Sequence, residues 1–265
     1  MTLWIAILLG LVQGLCEFLP VSSSGHLVLL HNLFGIEEGA LFFTVMLHLG
    51  TLLAVFAVYY KELLAMLRRP FQRKVGMLLL ALLPTVVVAL LFNDFIEEAY
   101  GGKLLGFGFL LTAAILYGSD RIQSRKKTTD TLRVRDALTI GLMQSVAILP
   151  GVSRSGSTIA GGLFGGMTRK EAADFSFILS IPAILGSVVL EVPDVLRSGA
   201  MGINWGFVLA GVLASAVSGY FAIRLMLRVV TQKRMLPFAV YVAGVGLFVL
   251  LDQFVTNWFF ANPFA

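Results

Sequence analysis

Apolar residues run along this chain in eight blocks, and two of the blocks are interrupted by polar residues in their middle. The six unbroken blocks are 41–60, 75–92, 104–119, 172–190, 205–223 and 236–256. Each lies near the roughly 20 apolar residues that carry a helix across a bilayer, so six full spans are expected, the third short and glycine-rich. The blocks 1–34 and 137–166 break at Pro20 to Gly25 and at Pro150 to Gly156, and each half is too short to cross alone. A broken apolar hairpin reads as re-entrant: it enters and leaves on one side, with the break buried in protein. The pattern predicts an all-α membrane protein of six transmembrane helices and two re-entrant helical hairpins, one integral membrane domain over 1–265.

Composition agrees with this reading. The chain is 58% hydrophobic and 13% charged, with a mean hydropathy of +0.89, far outside the soluble range. The net charge of +5 sits mostly in loops, so it speaks to topology and not to nucleic-acid binding. The basic loops 61–74, 121–135, 169–170 and 224–234, with Arg125, Lys233 and Arg234 among their charges, are expected in the cytoplasm. The acidic or mixed stretches 37–38 (Glu37, Glu38), 93–98 and 191–204 (Asp194) are expected outside. The first hairpin then dips in from outside and the second from the cytoplasm. The start of the chain lacks a basic leader region, so no cleavable signal is expected. Cys16 is the single cysteine, which excludes an intramolecular disulfide, and it reads as a small buried side chain.

The halves are related. At a shift of 131 residues Gly10 meets Gly141, Gln13 meets Gln144, Val21 meets Val152, Ser22 meets Ser153, Ser24 meets Ser155 and Gly25 meets Gly156, with no gap. A first repeat, 1–120, and a second, 137–256, each hold one hairpin and three spans. An odd number of crossings puts them in opposite orientations, an inverted-topology repeat, in which a site forms at midplane where the broken hairpins meet. The shift also shows where symmetry is given up: Glu17 faces Ile148, Ser23 faces Arg154 and His26 faces Ser157. A purely structural repeat has no need of that difference; a chemical site does.

The candidate chemistry lies at these breaks. A carboxylate in hydrocarbon costs about 3 kcal/mol on insertion scales, so Glu17 is a functional candidate, as metal ligand or proton acceptor. Gln13, four residues earlier, shares its helix face. Ser22, Ser23 and Ser24 precede one half-helix, and Ser153, Ser155 and Thr158 mark the start of another. Hydroxyls and free N–H groups at helix N-termini form an anion site. Arg154 is permanently charged and can grip phosphate with two N–H groups. His26 lies three residues after Ser23, within reach to activate it as a nucleophile. His31 and His48 lack such company and read as structural. Gln144 is expected to bond the hairpin backbone, and Asp120 and Asp252, at span ends, to reach water.

On these residues the chain resembles the bacterial undecaprenyl-diphosphate phosphatase family of the bacitracin-resistance type. That family carries a (Glu/Gln)-x-x-x-Glu motif, here Gln13 to Glu17, running on through Phe18 to His26. Its second motif, Pro-Gly-x-Ser-Arg-Ser-x-x-Thr, is matched without a mismatch from Pro150 to Thr158. The resemblance implies hydrolysis of a C55 polyprenyl diphosphate to the monophosphate and inorganic phosphate at the outer side of the cytoplasmic (inner) membrane. This recycles the lipid carrier for cell-wall polymers and confers bacitracin resistance. It also implies Mg2+ or Ca2+, held by Glu17 and Gln13. The residues suit phosphoryl transfer, which is mostly positioning and charge stabilisation. In the preferred scheme Ser23 attacks with His26 as base, Glu17 orients His26 or holds the metal, and Arg154 and the hydroxyls and N–H groups of both hairpins take the phosphoryl oxygens. In the rival scheme His26 attacks directly. The expected partners are undecaprenyl diphosphate and membrane lipids, with room for a homodimer. The alternative function is a polyprenyl-phosphate transporter or flippase, because broken hairpins in inverted repeats also build transporters.

Overall fold

The computed structural model describes residues 2–36, 40–123, 126–198, 204–232 and 235–260, the side chains of 40–41 and 190–198 excepted. The charges expected at Glu37, Glu38, Arg125, Asp194, Lys233 and Arg234 fall outside what is described. The chain folds into eleven α-helices among these residues. They are α1 (Leu3–Phe18), α2 (Ser23–Phe34), α3 (Ala40–Arg68), α4 (Arg73–Leu91), α5 (Asn93–Tyr100), α6 (Leu105–Arg121), α7 (Val134–Val146), α8 (Arg154–Phe164), α9 (Arg169–Ser198), α10 (Trp205–Thr231) and α11 (Leu236–Leu251). This is an all-α membrane protein. In hydrocarbon a backbone must satisfy its own hydrogen bonds, and a helix does so within one segment.

Among the described residues five helices are long and apolar enough to cross a membrane: those containing Phe42–Arg68, Arg73–Leu91, Arg169–Val189, Trp205–Thr231 and Leu236–Thr256. The third expected span is α6, at 17 residues. It follows α5 at a bend of 101°. The acidic stretch 93–98, expected as a loop, is α5. It is a two-turn helix that buries Ala99 and leaves Glu97 and Glu98 exposed. The spans also run past their apolar blocks, α3 to Arg68 and α10 to Thr231. Lys and Arg propagate a helix well, and their charge suits its C-terminal end.

The shift of 131 residues carries over to the helices. Leu3 and Val134, Ser23 and Arg154, and Leu105 and Leu236 each begin equivalent helices. Packing follows the same exchange: α1 lies on α10 as α7 lies on α4, while α6 and α11 pair with each other. Gly10 and Gly141 sit at equivalent points of these contacts. A Cβ on Gly10 would run into the Gly211 carbonyl, and one on Gly141 into the Ala81 carbonyl. The absence of side chains lets the broken helices press directly onto their neighbours.

The described parts of the polar stretch 121–135 are fastened down. Lys127 Nζ donates to Asp136 Oδ2 and to Gly165 O, both at 2.7 Å. The buried Arg169 donates to the carbonyls of Ser119, Asp120 and Ile122, which end α6. Asp120 does not simply reach water. Its Oδ1 accepts the Met235 N–H at 3.2 Å and lies 3.9 Å from Arg169. Asp252 is buried, accepting the N–H groups of Trp258, Phe259 and Phe260 where α11 ends. Both carboxylates cap backbone that has run out of helical partners.

Candidate active site

The two broken hairpins meet at their tips. α1 stops at Phe18 because Pro20 lacks the N–H that would continue it. Ser22 then turns the chain at φ 69° and caps α2, its hydroxyl accepting the Gly25 N–H at 3.3 Å. In the second hairpin Gly151 makes the left-handed turn at φ 86°. Ser153 caps α8 by accepting the Gly156 N–H at 3.1 Å. Contact between the tips is reciprocal. A Cβ on Gly25 would meet the Gly151 Cα at 2.9 Å, and one on Gly156 would meet Pro20 at 3.2 Å. Ser155 Oγ donates to Leu19 O at 3.2 Å. Thr112 on α6 holds the second tip from behind: its hydroxyl donates to Gly151 O and accepts the Ser153 N–H, both at 2.8 Å.

Glu17, at the last turn of α1, is the hub. Its Oε1 accepts from Arg154 Nη2 of the other hairpin at 2.5 Å. Its Oε2 accepts from Ser23 Oγ at 2.5 Å and from Gln13 Nε2 at 3.0 Å. His48 Nε2 on α3 stands 3.8 Å from the same oxygen. A carboxylate only accepts, so the Gln13 amide nitrogen faces it and Oε1 faces away, buried and without a donor among the described residues. Arg154 keeps Nη1 buried and without a partner among the described residues. Ser23 and Ser24 are half-buried and open to a ligand.

Sequence reading and structure part at His26. Its Nδ1 lies 2.8 Å from Ser22 O, and a carbonyl only accepts, so Nδ1 carries the hydrogen. Nε2 therefore accepts from Tyr241 OH, at 2.8 Å, and the two rings stack. Both nitrogens are engaged, and the expected Ser23–His26 dyad is not formed. The group on the Ser23 hydroxyl is Glu17 instead. Thr158 also differs from expectation. It faces away from the tips, bonding the Arg154 carbonyl at 2.8 Å and sharing a 2.5 Å contact with Ser176. Ser22 and Ser153 spend their hydroxyls as caps, with Ser24 and Ser155 each 3.3 Å from its cap. Gln144 donates to Thr85 of α4 and not to hairpin backbone.

Three contributors went unread in the sequence. Tyr241 sits in an unbroken span with no polar company to mark it. Thr112 looked like any hydroxyl in a short glycine-rich helix. His48 did carry a signal: with Thr44 and Thr51, four residues before and three after, it makes a polar row in the apolar first half of the crossing, where polar groups are expensive.

Helices long and apolar enough to cross a bilayer, two broken helices tip to tip, and a buried acid joined to a half-buried arginine and a half-buried serine define a polytopic membrane protein with a charged, hydroxyl-bearing site where its hairpins meet. The profile of the family described as Bacitracin resistance protein BacA matches residues 6–248, and the chain belongs to that family. Among its curated relatives, undecaprenyl-diphosphatase 3 of Bacillus cereus is 42% identical over 250 residues, covering 94% of this chain and 96% of the relative. The undecaprenyl-diphosphatase of Carboxydothermus hydrogenoformans is 41% identical over 251 residues, with the same coverage. That of Halothermothrix orenii is 35% identical over 254 residues, covering 95% of this chain and 98% of the relative.

Proposed function

We propose that this protein hydrolyses undecaprenyl diphosphate to undecaprenyl phosphate and inorganic phosphate, at a site assembled from both hairpin tips. One observation carries the reading of the site. A serine hydroxyl, a carboxylate and an arginine are linked in a row across the hairpins, at 2.5 Å from Ser23 to Glu17 and 2.5 Å from Glu17 to Arg154. Glu17 is in place to take the hydroxyl proton as Ser23 Oγ attacks the terminal phosphorus. The anhydride P–O bond breaks and undecaprenyl phosphate leaves. Water then attacks the phosphoserine, and Ser23 Oγ departs, taking the proton back from Glu17. Inorganic phosphate leaves with the hydrogens that water brought. Arg154 turns its free Nη1 to the phosphoryl oxygens, and α2 and α8, which both start at the tips, add the positive ends of their helices. His26, held by Tyr241, walls the site on its lipid side. A cleft of about 500 Å3 runs from His26 past Leu29, Gly244 and Phe248, and it suits a prenyl chain.

Mg2+ or Ca2+ fits this site as a companion of the substrate. Both Glu17 oxygens are taken by protein donors, whereas Gln13 Oε1 is a buried oxygen without one. Gln13 would hold the cation together with diphosphate oxygens, the oxygen-rich setting that hard cations prefer. Such a cation supplies positive charge to the diphosphate. The charge pattern of the loops supports a site that opens toward the outer face of the cytoplasmic membrane, with the repeats inverted. The transporter alternative is not favoured, because the relatives are named as phosphatases. The test is phosphate release from a C55 prenyl diphosphate by the purified protein in detergent, where vectorial transport is impossible. Release by the wild type and none by Ser23→Ala is expected. An inactive wild type, or an active Ser23→Ala, rejects the reading.

A further inference from the structure

We propose that His48 is a positioning residue of this site, holding the Glu17 carboxylate in place on Oε2, the oxygen that Arg154 leaves free. The inference rests on the phosphatase reading and adds a member to its machinery. His48 Nδ1 lies 2.8 Å from Thr44 O, one turn back on α3. A carbonyl only accepts, so Nδ1 carries a hydrogen and the ring is fixed with Nε2 forward. Nε2 then faces Glu17 Oε2 at 3.8 Å, with His48 one-fifth exposed and Glu17 almost fully buried. In the proposed role the ring bears both hydrogens, Nδ1–H on the Thr44 carbonyl and Nε2–H toward the carboxylate, as the His48–Glu17 ion pair. The 3.8 Å separation is longer than a hydrogen bond, and resting sites often tighten such contacts only once substrate is bound.

The placement of His48 is built into the packing. Its neighbours pin α3 to α10: Ser215 Oγ donates to Leu47 O at 2.8 Å. A Cβ on Gly50 would stand 2.5 Å from Val212 O, so only glycine admits this approach. α10 in turn carries α1, where Gly14 lies against Ser218 and Ser215. Two glycine contacts in series thus set His48 against the Glu17 end of α1. Ser23 and Gln13 bind the same carboxylate oxygen as neutral donors. Arg154 divides its fork between Glu17 and the diphosphate when substrate enters. At that moment His48 keeps Glu17 aimed at the serine hydroxyl.

The test compares His48→Ala, His48→Leu and His48→Gln with the wild type, by phosphate release from a prenyl diphosphate in detergent and by thermal melting. Glutamine can present an amide N–H where the ring nitrogen stands; leucine fills the volume without a donor. Loss of the donor is expected to lower kcat roughly 10- to 100-fold, the scale of a small misplacement of a catalytic group. KM should move little, because His48 touches Glu17 and not the phosphate. His48→Gln should stay within about 3-fold of wild type, a rescue that a packing role does not predict. If His48→Ala fails to fold, the leucine and glutamine variants decide alone. A leucine variant with wild-type kcat, or a glutamine variant as poor as leucine, overturns the proposal while leaving the phosphatase reading intact. A wild type that releases no phosphate overturns both.

Discussion

The two hairpin tips share a frame and differ in what they carry. In both, a serine caps the second half-helix, a second serine follows two residues later, and a glycine comes next. The second tip is relaxed: its left-handed turn falls on Gly151, and Ser153 sits at φ −74°. The first is strained, since its left-handed residue is Ser22 at φ 69°. A side chain in that region costs about 1–3 kcal/mol, and such strain gathers at functional sites. Strain therefore lies at the tip that holds Glu17, Ser23 and His26, while the relaxed tip contributes Arg154. The two tips present equivalent capped helix ends and differ in the side chains they carry.

The largest effects should come from restoring the equality. Glu17→Gln keeps the shape of the first tip and removes its base, and about a 10³-fold loss of turnover is expected, measured as phosphate release. Arg154→Lys keeps the charge of the second tip but loses the planar fork that serves Glu17 with one nitrogen and substrate with the other. It should lose about 10²-fold or more while inserting and purifying normally. Near-wild-type turnover in the lysine variant would reduce Arg154 to a salt-bridge partner.

Next come changes where the tips touch. Gly151→Ala adds a side chain at φ 86° and 2.6 Å from the Leu105 carbonyl. A loss of about 2 kcal/mol or more is expected, seen as a lower melting temperature in detergent. An alanine variant as stable as wild type would show that the tips do not need this close approach. The smallest effect is the most discriminating. Ser22→Gly trades a cap bond worth a few tenths of a kcal/mol against glycine for relief of strain, whereas Ser153→Gly loses its cap with nothing to relieve. Ser22→Gly should therefore melt above Ser153→Gly, and the reverse order would deny that the first tip is strained.

The frame was legible because membrane helices announce themselves. The apolar blocks, their two breaks at proline and glycine, and the ungapped shift from Gly10–Gly25 to Gly141–Gly156 correspond to helices that begin at matching positions. Glu17 and Arg154 stood out because charge in hydrocarbon is costly, and the structure brings them together across the hairpins. The wiring around them was less legible. His26 is three residues from Ser23, but a backbone carbonyl of its own helix and Tyr241, from the far end of the chain, claim its nitrogens. Sequence spacing reports which residues share a helix face; it does not report which neighbour from another helix arrives first. For the same reason His48 was passed over, since its link to Glu17 exists only once α1, α10 and α3 are packed.

The central claim is that the first tip does the chemistry through Ser23 and the second only clamps. The most direct test is rapid acid quenching of turnover on substrate labelled in its terminal phosphate, followed by peptide mapping. The account predicts acid-stable label on a peptide containing Ser23, absent from the Ser23→Ala protein. Acid-labile label on His26 would contradict it, returning Ser23 to the role of a phosphate-binding hydroxyl.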